Sequence, residues 1–254
     1  MSGRLAVVGI GPGELRYLTP EAQAALAAAD ALYGYGPYLG RVPVRPNQSR
    51  EPSGNREESA RAQAALRRAA AGAKVALVSG GDPGVFAMAA AVCEEIDGGP
   101  AAWREIDVSF VPGVTAMLAV AARLGAPLGH DFCALSLSDN LKPWGAIERR
   151  LDAAAGAGFV IALYNPVSRA RPRQLGLAFE RLRQHLPATT PVVFGRAVGR
   201  DDEHVLVTSL ADADPARADM ATLVIVGSSE TRMITRPGRT PLIYTPRAMR
   251  GARA

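Results

Sequence analysis

Four short segments combine glycine, proline and a few polar side chains in a way that suits ligand binding. Gly9-Ile10-Gly11-Pro12-Gly13, Ser79-Gly80-Gly81-Asp82-Pro83-Gly84, Pro112-Gly113-Val114-Thr115-Ala116 and Leu163-Tyr164-Asn165-Pro166 each follow or end an apolar run. Their glycines let backbone approach a ligand closely, and their prolines fix the chain beside it. The Asp82 carboxylate suits ribose hydroxyls or an ammonium group. Its other reading is a cap on the next helix, with Pro83 in the first turn. Thr115 divides likewise between helix cap and ligand contact, and Asn165-Pro166 between ligand edge and simple turn.

The first segment is not a dinucleotide fingerprint. The last glycine of that pattern would fall at position 14, which is Glu14, and Pro12 removes an amide donor. The next helix signal, Thr19-Pro20-Glu21, comes too late to aim a helix N-terminus at the turn. No Gly-Lys-Ser/Thr triplet supplies a phosphate loop. These features argue against NAD and ATP.

Alternating strand and helix signals position the segments. Strands are expected at 5–8, 74–78 and 108–111, with helices opening at Pro20, spanning 56–71, passing through Met88 and Val92, and running from about 114 to 124. Gly125 to His130 breaks the periodicity and reads as a linker. Beyond it, strand signals recur at 132–137, 159–163, 191–194, 204–207 and 222–226, with helices at 144–155 and 173–185 and a loop over 212–219. The pattern is α/β: two domains with open sheets flanked by helices, 1–126 and 127–245. A ligand cleft is expected between them. From Arg236 the chain is rich in arginine and proline and is expected to be partly disordered, with 246–254 as a disordered tail.

Of the 254 residues, 48% are apolar and 21% charged, which suits a globular protein with a substantial core. The two cysteines, Cys93 and Cys133, sit in no CxxC or Cys/His cluster, so neither a disulfide scaffold nor a metal site is expected. The run Leu5–Val8 is too short for a membrane span and no cleavage pattern follows it, which points to a cytoplasmic protein without membrane contact. The net charge of +5 suits solubility or an anionic small molecule. No recognition-helix motif, stacking-aromatic pattern or basic tract points to nucleic acid. Arg61, Arg67 and Arg68 read as the solvated face of one helix.

Taken together, the four segments resemble the tetrapyrrole methylase family. So do Leu18-Thr19, the run Ala121-Ala122-Arg123-Leu124-Gly125-Ala126-Pro127-Leu128 and the late Ala221-Thr222-Leu223-Val224-Ile225-Val226-Gly227. The resemblance implies two α/β domains, a homodimer, and S-adenosylmethionine held in an interdomain cleft. By position it implies cofactor contacts at Pro12, Gly80, Gly81, Asp82, Val85, Thr115, Ala116, Asn165, Ala197 and Thr222. Asn165 departs from the methionine that several relatives carry there and reads as a branch marker.

Gly34-Tyr35-Gly36-Pro37-Tyr38-Leu39, Arg56-Glu57-Glu58, Val85 to Ala89, His130-Asp131-Phe132 and Leu137-Ser138-Asp139-Asn140-Leu141 are similar to one branch of that family. Its implied activity is methylation of precorrin-3B at C-17 with macrocycle contraction to precorrin-4, in cobalamin biosynthesis. Attack of an electron-rich carbon on a sulfonium methyl needs alignment and exclusion of water rather than an acid or nucleophile. Ring contraction benefits from a proton donor or acceptor. His130, Asp131, Ser138, Asp139 and Tyr164 are candidates that the sequence does not rank, and His130 reads equally as a surface or interdomain histidine. The substrate carries many carboxylates, for which Arg56 and Arg169 are the expected partners. Three rival readings are a counterpart acting on a cobalt-containing substrate, a methylase of another ring position, and a non-catalytic tetrapyrrole carrier.

Overall fold

The computed structural model describes residues 3–248. The chain divides into two compact units, the second beginning at Ala116.

The first unit contains β1 (Arg4–Gly9), α1 (Pro20–Ala28), β2 (Ala31–Tyr35), α2 (Gly36–Leu39), β3 (Ser49–Ser53), α3 (Glu58–Ala70), β4 (Lys74–Ser79), α4 (Met88–Gly98) and β5 (Asp107–Val111). Its five strands form an all-parallel sheet in the order β3-β2-β4-β1-β5. The central strands β1 and β4 are apolar at consecutive positions because both of their faces are covered. Leu5, Val7, Val75 and Leu77 pack with Ala62, Leu66, Val92 and Trp103 on one side. Ala6, Val8, Ala76 and Val78 pack with Ala22 and Leu26 of α1 on the other. Helix α1 starts where the chain sets it, with Pro20 in its first turn and the Thr19 hydroxyl accepting from the Ala22 amide at 3.1 Å.

Strands β2 and β3 were not expected. Ala31–Tyr35 is short and glycine-interrupted, and Ser49–Ser53 is a polar edge strand, so neither shows the continuous apolar run that marked β1 and β4. Arg61 also departs from expectation. It is 6% exposed, while Arg67 and Arg68 face solvent. Its guanidinium donates to Ser53 Oγ and the Gly54 carbonyl, and Nη1 contacts Met88 Sδ, joining the end of β3 to the start of α4. Burial holds this guanidinium below its usual pKa, against the pull of Glu58 and Glu57.

The second unit contains α5 (Ala116–Ala122), β6 (Gly125–Ala126), β7 (Phe132–Ser136), α6 (Trp144–Gly156), β8 (Val160–Tyr164), α7 (Gln174–Leu182), β9 (Pro191–Arg196), β10 (His204–Ser209), β11 (Thr222–Val226), β12 (Arg232–Arg236) and β13 (Arg239–Tyr244). Five strands form a mixed sheet, β10-β9-β11-β8-β7, in which only β7 and β8 run parallel. Leu151 and Ile147 of α6 and Leu175, Phe179 and Leu182 of α7 cover one face with Ile161, Leu163, Phe194 and Val224. On β9, Gly195 admits α5: a Cβ there would lie 2.3 Å from Val120 Cγ2.

The segment expected to link two domains is built into the second unit. Gly125 and Ala126 pair with Ile243 and Tyr244 of β13, and the Pro127 carbonyl accepts from the buried Thr245 hydroxyl at 2.7 Å. The division between units therefore precedes α5, ahead of the expected boundary at 126/127. The stretch from Arg236, expected to be partly disordered, carries β13 through Tyr244, paired in a hairpin with β12 just before it. Of the expected tail, 249–254 lies outside the described residues.

Candidate active site

In the first unit, β1, β4 and β5 lie side by side and their carboxyl ends lead into three glycine-bearing loops, the edge at which open α/β sheets bind ligands. The loops are locked together by backbone. Gly11 N–H donates to the Gly81 carbonyl at 3.1 Å, and Gly81 N–H to the Gly11 carbonyl at 3.0 Å. A Cβ on Gly113 would lie 2.3 Å from the Gly81 oxygen, and one on Gly9 would lie 2.7 Å from the same atom. Glycine is required here by backbone-to-backbone contact.

Asp82 does not cap α4, whose cap position is Ala87. Its carboxylate accepts from Gly84 N–H at 2.8 Å and from Gly113 N–H at 3.1 Å, tying the β4 loop to the β5 loop. Arg41, from the chain after α2, donates to the carbonyls of Gly11 at 2.8 Å and Gly13 at 2.7 Å, which fixes the turn containing Pro12. The Tyr38 ring occupies the space over Gly80, where a Cβ would come within 2.6 Å of Cζ. Gly81 differs. It has φ of +64°, and a Cβ on it would meet nothing nearer than Thr115 Cα at 3.8 Å. A ligand can therefore approach this loop at Gly81, beside buried Thr115 and half-buried Val85. Phe86 follows in the left-handed region at φ 51° and is 49% exposed, an arrangement that costs about 1–2 kcal/mol.

In the second unit, the strand order places Ala197, Thr222, Asn165 and Ser136 along one sheet edge. Arg196 ends β9 opposite Thr222, which begins β11, and Ser136 at the end of β7 pairs with Tyr164 at the end of β8. Asn165 and Ala197 both take positive φ, 51° and 49°, immediately after their strands. Asparagine tolerates that conformation; alanine is strained by it.

Side-chain bonds hold the edge. Asn165 Nδ2 donates to Ser136 Oγ at 2.9 Å, and the same oxygen accepts from Ser138 N–H at 3.3 Å. Arg171 Nη1 donates to the carbonyls of Asn165 at 3.1 Å and Leu137 at 3.4 Å. The Thr222 hydroxyl donates to Asp219 Oδ1 at 2.8 Å, so it positions the loop rather than facing outward. Arg196 joins Asp219 and Asp202, both at 2.8 Å. Burial alone would raise the Asp219 carboxyl, but hydrogen bonds from Thr222, Arg196 and the Ala221 amide outweigh it and hold the pKa below the usual range.

The five acid–base candidates are not gathered in one place. Ser138, Asp139 and Tyr164 lie at the carboxyl ends of β7 and β8, where Asp139 accepts from Gln174 Nε2 at 3.0 Å. His130 and Asp131 precede β7, at its other end, about 15 Å away at ~3.3 Å per strand residue. The Tyr164 hydroxyl accepts from Met117 N–H, in the first turn of α5. Arg56 and Arg169 are both exposed. Burial pushes the Cys133 thiol up, which keeps it protonated and unreactive. Among the described residues no group of three or more His, Cys, Asp or Glu could hold a metal ion, and no helix is long and apolar enough to cross a membrane.

Four contributors were not singled out from the sequence: Tyr38, Arg41, Ser136 and Arg171. Tyr38 alone carried a signal, in the Gly34–Leu39 run. An arginine that bonds carbonyls across a turn looks the same in sequence as one on the surface. The first unit's edge offers backbone and glycine surface and the second unit's edge strained strand ends, features that suit holding and aligning a ligand.

Residues 4–214 match the family model of the tetrapyrrole (corrin/porphyrin) methylases. The chain is 66% identical over 252 residues to a precorrin-3B C(17)-methyltransferase of Sinorhizobium, covering 99% of each chain. It is 42% identical to a probable cobalt-factor III C(17)-methyltransferase of Salmonella typhimurium, covering 96% of this chain and 98% of the relative. A solved structure of the methyltransferase CobJ superposes with a TM-score of 0.92 at 46% identity, covering 96% of this chain and all of that one. The chain thus belongs to the tetrapyrrole (corrin/porphyrin) methylases.

Proposed function

We propose that this protein transfers a methyl group from S-adenosylmethionine to C-17 of precorrin-3B, with contraction of the macrocycle to precorrin-4, in cobalamin biosynthesis. The observation that carries the reading is 66% identity across essentially the whole chain to an enzyme named for that reaction. The lower 42% identity to a relative named for cobalt-factor III favours the metal-free substrate.

The cofactor supplies an electrophilic methyl group on a sulfonium, and the protein's part is to present it in line and dry. Gly81 and the turn at Pro12 offer backbone, with Gly80 backed by Tyr38. Asp82 holds the β4 and β5 loops at a fixed spacing, and Val85, Thr115 and Ala116 supply apolar and small surface. Asn165, Ala197 and Thr222 are proposed as further cofactor positions, the last through its backbone because its hydroxyl is engaged by Asp219. Glycine at 81, with room beyond its missing Cβ, is the feature that fits a closely held small molecule.

Ring contraction calls for proton transfer. Ser138 and Asp139 are the stronger of the proposed groups, since they share a sheet edge with Asn165, whereas His130 and Asp131 do not. A homodimer in the cytoplasm is the proposed setting.

Methyl-labelled S-adenosylmethionine offered with precorrin-3B, and separately with cobalt-factor III, tests the reading. Label should pass to precorrin-3B at the higher kcat/KM. Preference for the cobalt substrate would reassign the branch, and transfer to neither would overturn the enzyme.

A further inference from the structure

Arg171 is a buried cation that reaches no carboxylate among the described residues. It is 9% exposed, and among the described residues its hydrogen-bond acceptors are backbone carbonyls: Leu137 and Asn165 for Nη1, with Ser168 accepting from its amide. Nε is buried with no acceptor, and the side-chain bonds recorded among the described residues use Nη1 alone, leaving Nη2 without one. The neighbouring hydroxyl shares this condition. Ser168 and Arg171 bond each other's backbone in a four-residue turn, at 3.2 and 3.0 Å, and Ser168 Oγ is buried without a partner. Arg123, Arg181 and Arg196 of the same unit all reach carboxylates.

A guanidinium withdrawn from water normally finds a carboxylate, because carbonyl dipoles replace only part of its hydration. The unused edge is informative. Nε and Nη2 lie on the side of the fork that takes a carboxylate through two parallel hydrogen bonds, while Nη1 is committed to the loop. That edge belongs to the loop following β8, on the sheet edge that also carries Asn165 and Ser136.

We propose that Arg171, seconded by the Ser168 hydroxyl, binds one carboxylate of the tetrapyrrole substrate; this rests on the functional reading above. The expected arginines Arg56 and Arg169 are exposed and make no comparable built site. Since Nε and Ser168 Oγ are covered, the turn shifts when the carboxylate reaches them. By holding the Asn165 carbonyl, Arg171 also places the substrate carboxylate in fixed relation to the β8 strand end.

The test compares wild type, Arg171→Lys and Arg171→Gln by thermal unfolding, S-adenosylmethionine Kd, and kcat and KM for precorrin-3B. Arg171→Gln should raise the precorrin-3B KM by about tenfold or more while the S-adenosylmethionine Kd holds within about threefold, and Arg171→Lys should fall between. A parallel weakening of S-adenosylmethionine in both variants would show a purely structural anchor and overturn the subsite. Absence of methyl transfer by wild type would overturn the functional reading instead. The subsite is then read from fluorescence titration with uroporphyrin, an octacarboxylate, against its octamethyl ester. Wild type should bind the acid and not the ester, and Arg171→Gln should lose about tenfold for the acid. Equal affinities in wild type and Arg171→Gln, or failure of wild type to bind the acid, would overturn the subsite.

Discussion

The phenolic oxygen of Tyr164 lies 3.1 Å from the backbone nitrogen of Met117 and accepts its hydrogen bond. Tyr164 ends β8, and Met117 is the second residue of α5, so a sheet edge satisfies one of the amides that a helix leaves open in its first turn. The same helix begins with Ala116, a proposed cofactor position. Tyrosine at 164 thereby holds the first turn of α5.

Tyr164→Phe removes that acceptor and keeps the ring. Urea unfolding should show a loss of about 1 kcal/mol, the net worth of one such bond. The kcat should stay within about tenfold and the S-adenosylmethionine Kd should rise modestly. Were Tyr164 the proton donor for ring contraction, kcat would instead drop by about 10² to 10⁴ with the Kd unmoved.

Gly113→Ala places a methyl group 2.3 Å from the Gly81 carbonyl oxygen and 2.9 Å from Gly9 C. Neither neighbour is a flexible side chain, so the three strand ends must separate. Overpacking of this kind costs about 1–3 kcal/mol. Thermal unfolding should record that loss, and isothermal titration should show S-adenosylmethionine binding weakened beyond it. Unchanged cofactor binding in a destabilised but folded variant would detach these strand ends from the cofactor site.

Much of this edge was legible beforehand. Apolar runs of at least four residues mark β1, β4, β8 and β11 because those strands are buried on both faces, and the Gly/Pro segments mark where several of them stop. The strands that escaped notice lack such a run: β2 is interrupted by Gly34, β3 and β12 are edge strands with exposed residues, and β13 opens on Arg239, Thr240 and Pro241. Arg41, Arg61 and Arg171 escaped for another reason. Each is held by carbonyl or other acceptors from 6 to 34 residues away in the chain, and a guanidinium engaged that way leaves no local pattern. Asp82 was legible as a carboxylate at a strand end but not as the tie between two loops, since its partner Gly113 lies 31 residues on.

Asp219 ties acid sensitivity to the strand-end network. Its carboxyl is held below the ordinary value, so its contribution to stability is present above the unfolded pKa of about 3.9 and is lost as pH falls through the lower folded value. Asp219→Asn should flatten the dependence of stability on pH below about pH 4 and leave its shape near pH 7 unchanged. Denaturant midpoints measured from pH 3 to pH 7 would show this. A variant with the wild-type acid slope would place the sensitivity elsewhere.

Ala197 separates backbone strain from side-chain burial. It is a buried alanine at φ 49°, with its amide bonded to the Ala221 carbonyl at 2.9 Å. Glycine there would relieve about 1–2 kcal/mol of left-handed strain. It would also lose one buried methyl, about 0.8 kcal/mol, and add chain entropy to the unfolded state of about 0.4–1 kcal/mol. These terms nearly cancel, so Ala197→Gly should unfold within about 1 kcal/mol of wild type. Ala197→Val adds bulk and puts a branched side chain into the left-handed region, where it is a steric outlier, and should cost about 2 kcal/mol or more. If Ala197 touches the cofactor, both variants weaken S-adenosylmethionine binding, the valine through bulk and the glycine through a lost contact and a looser loop. A glycine variant that keeps both stability and affinity would show that the loop needs only its backbone conformation at this position, and would remove the Ala197 methyl from the cofactor contacts.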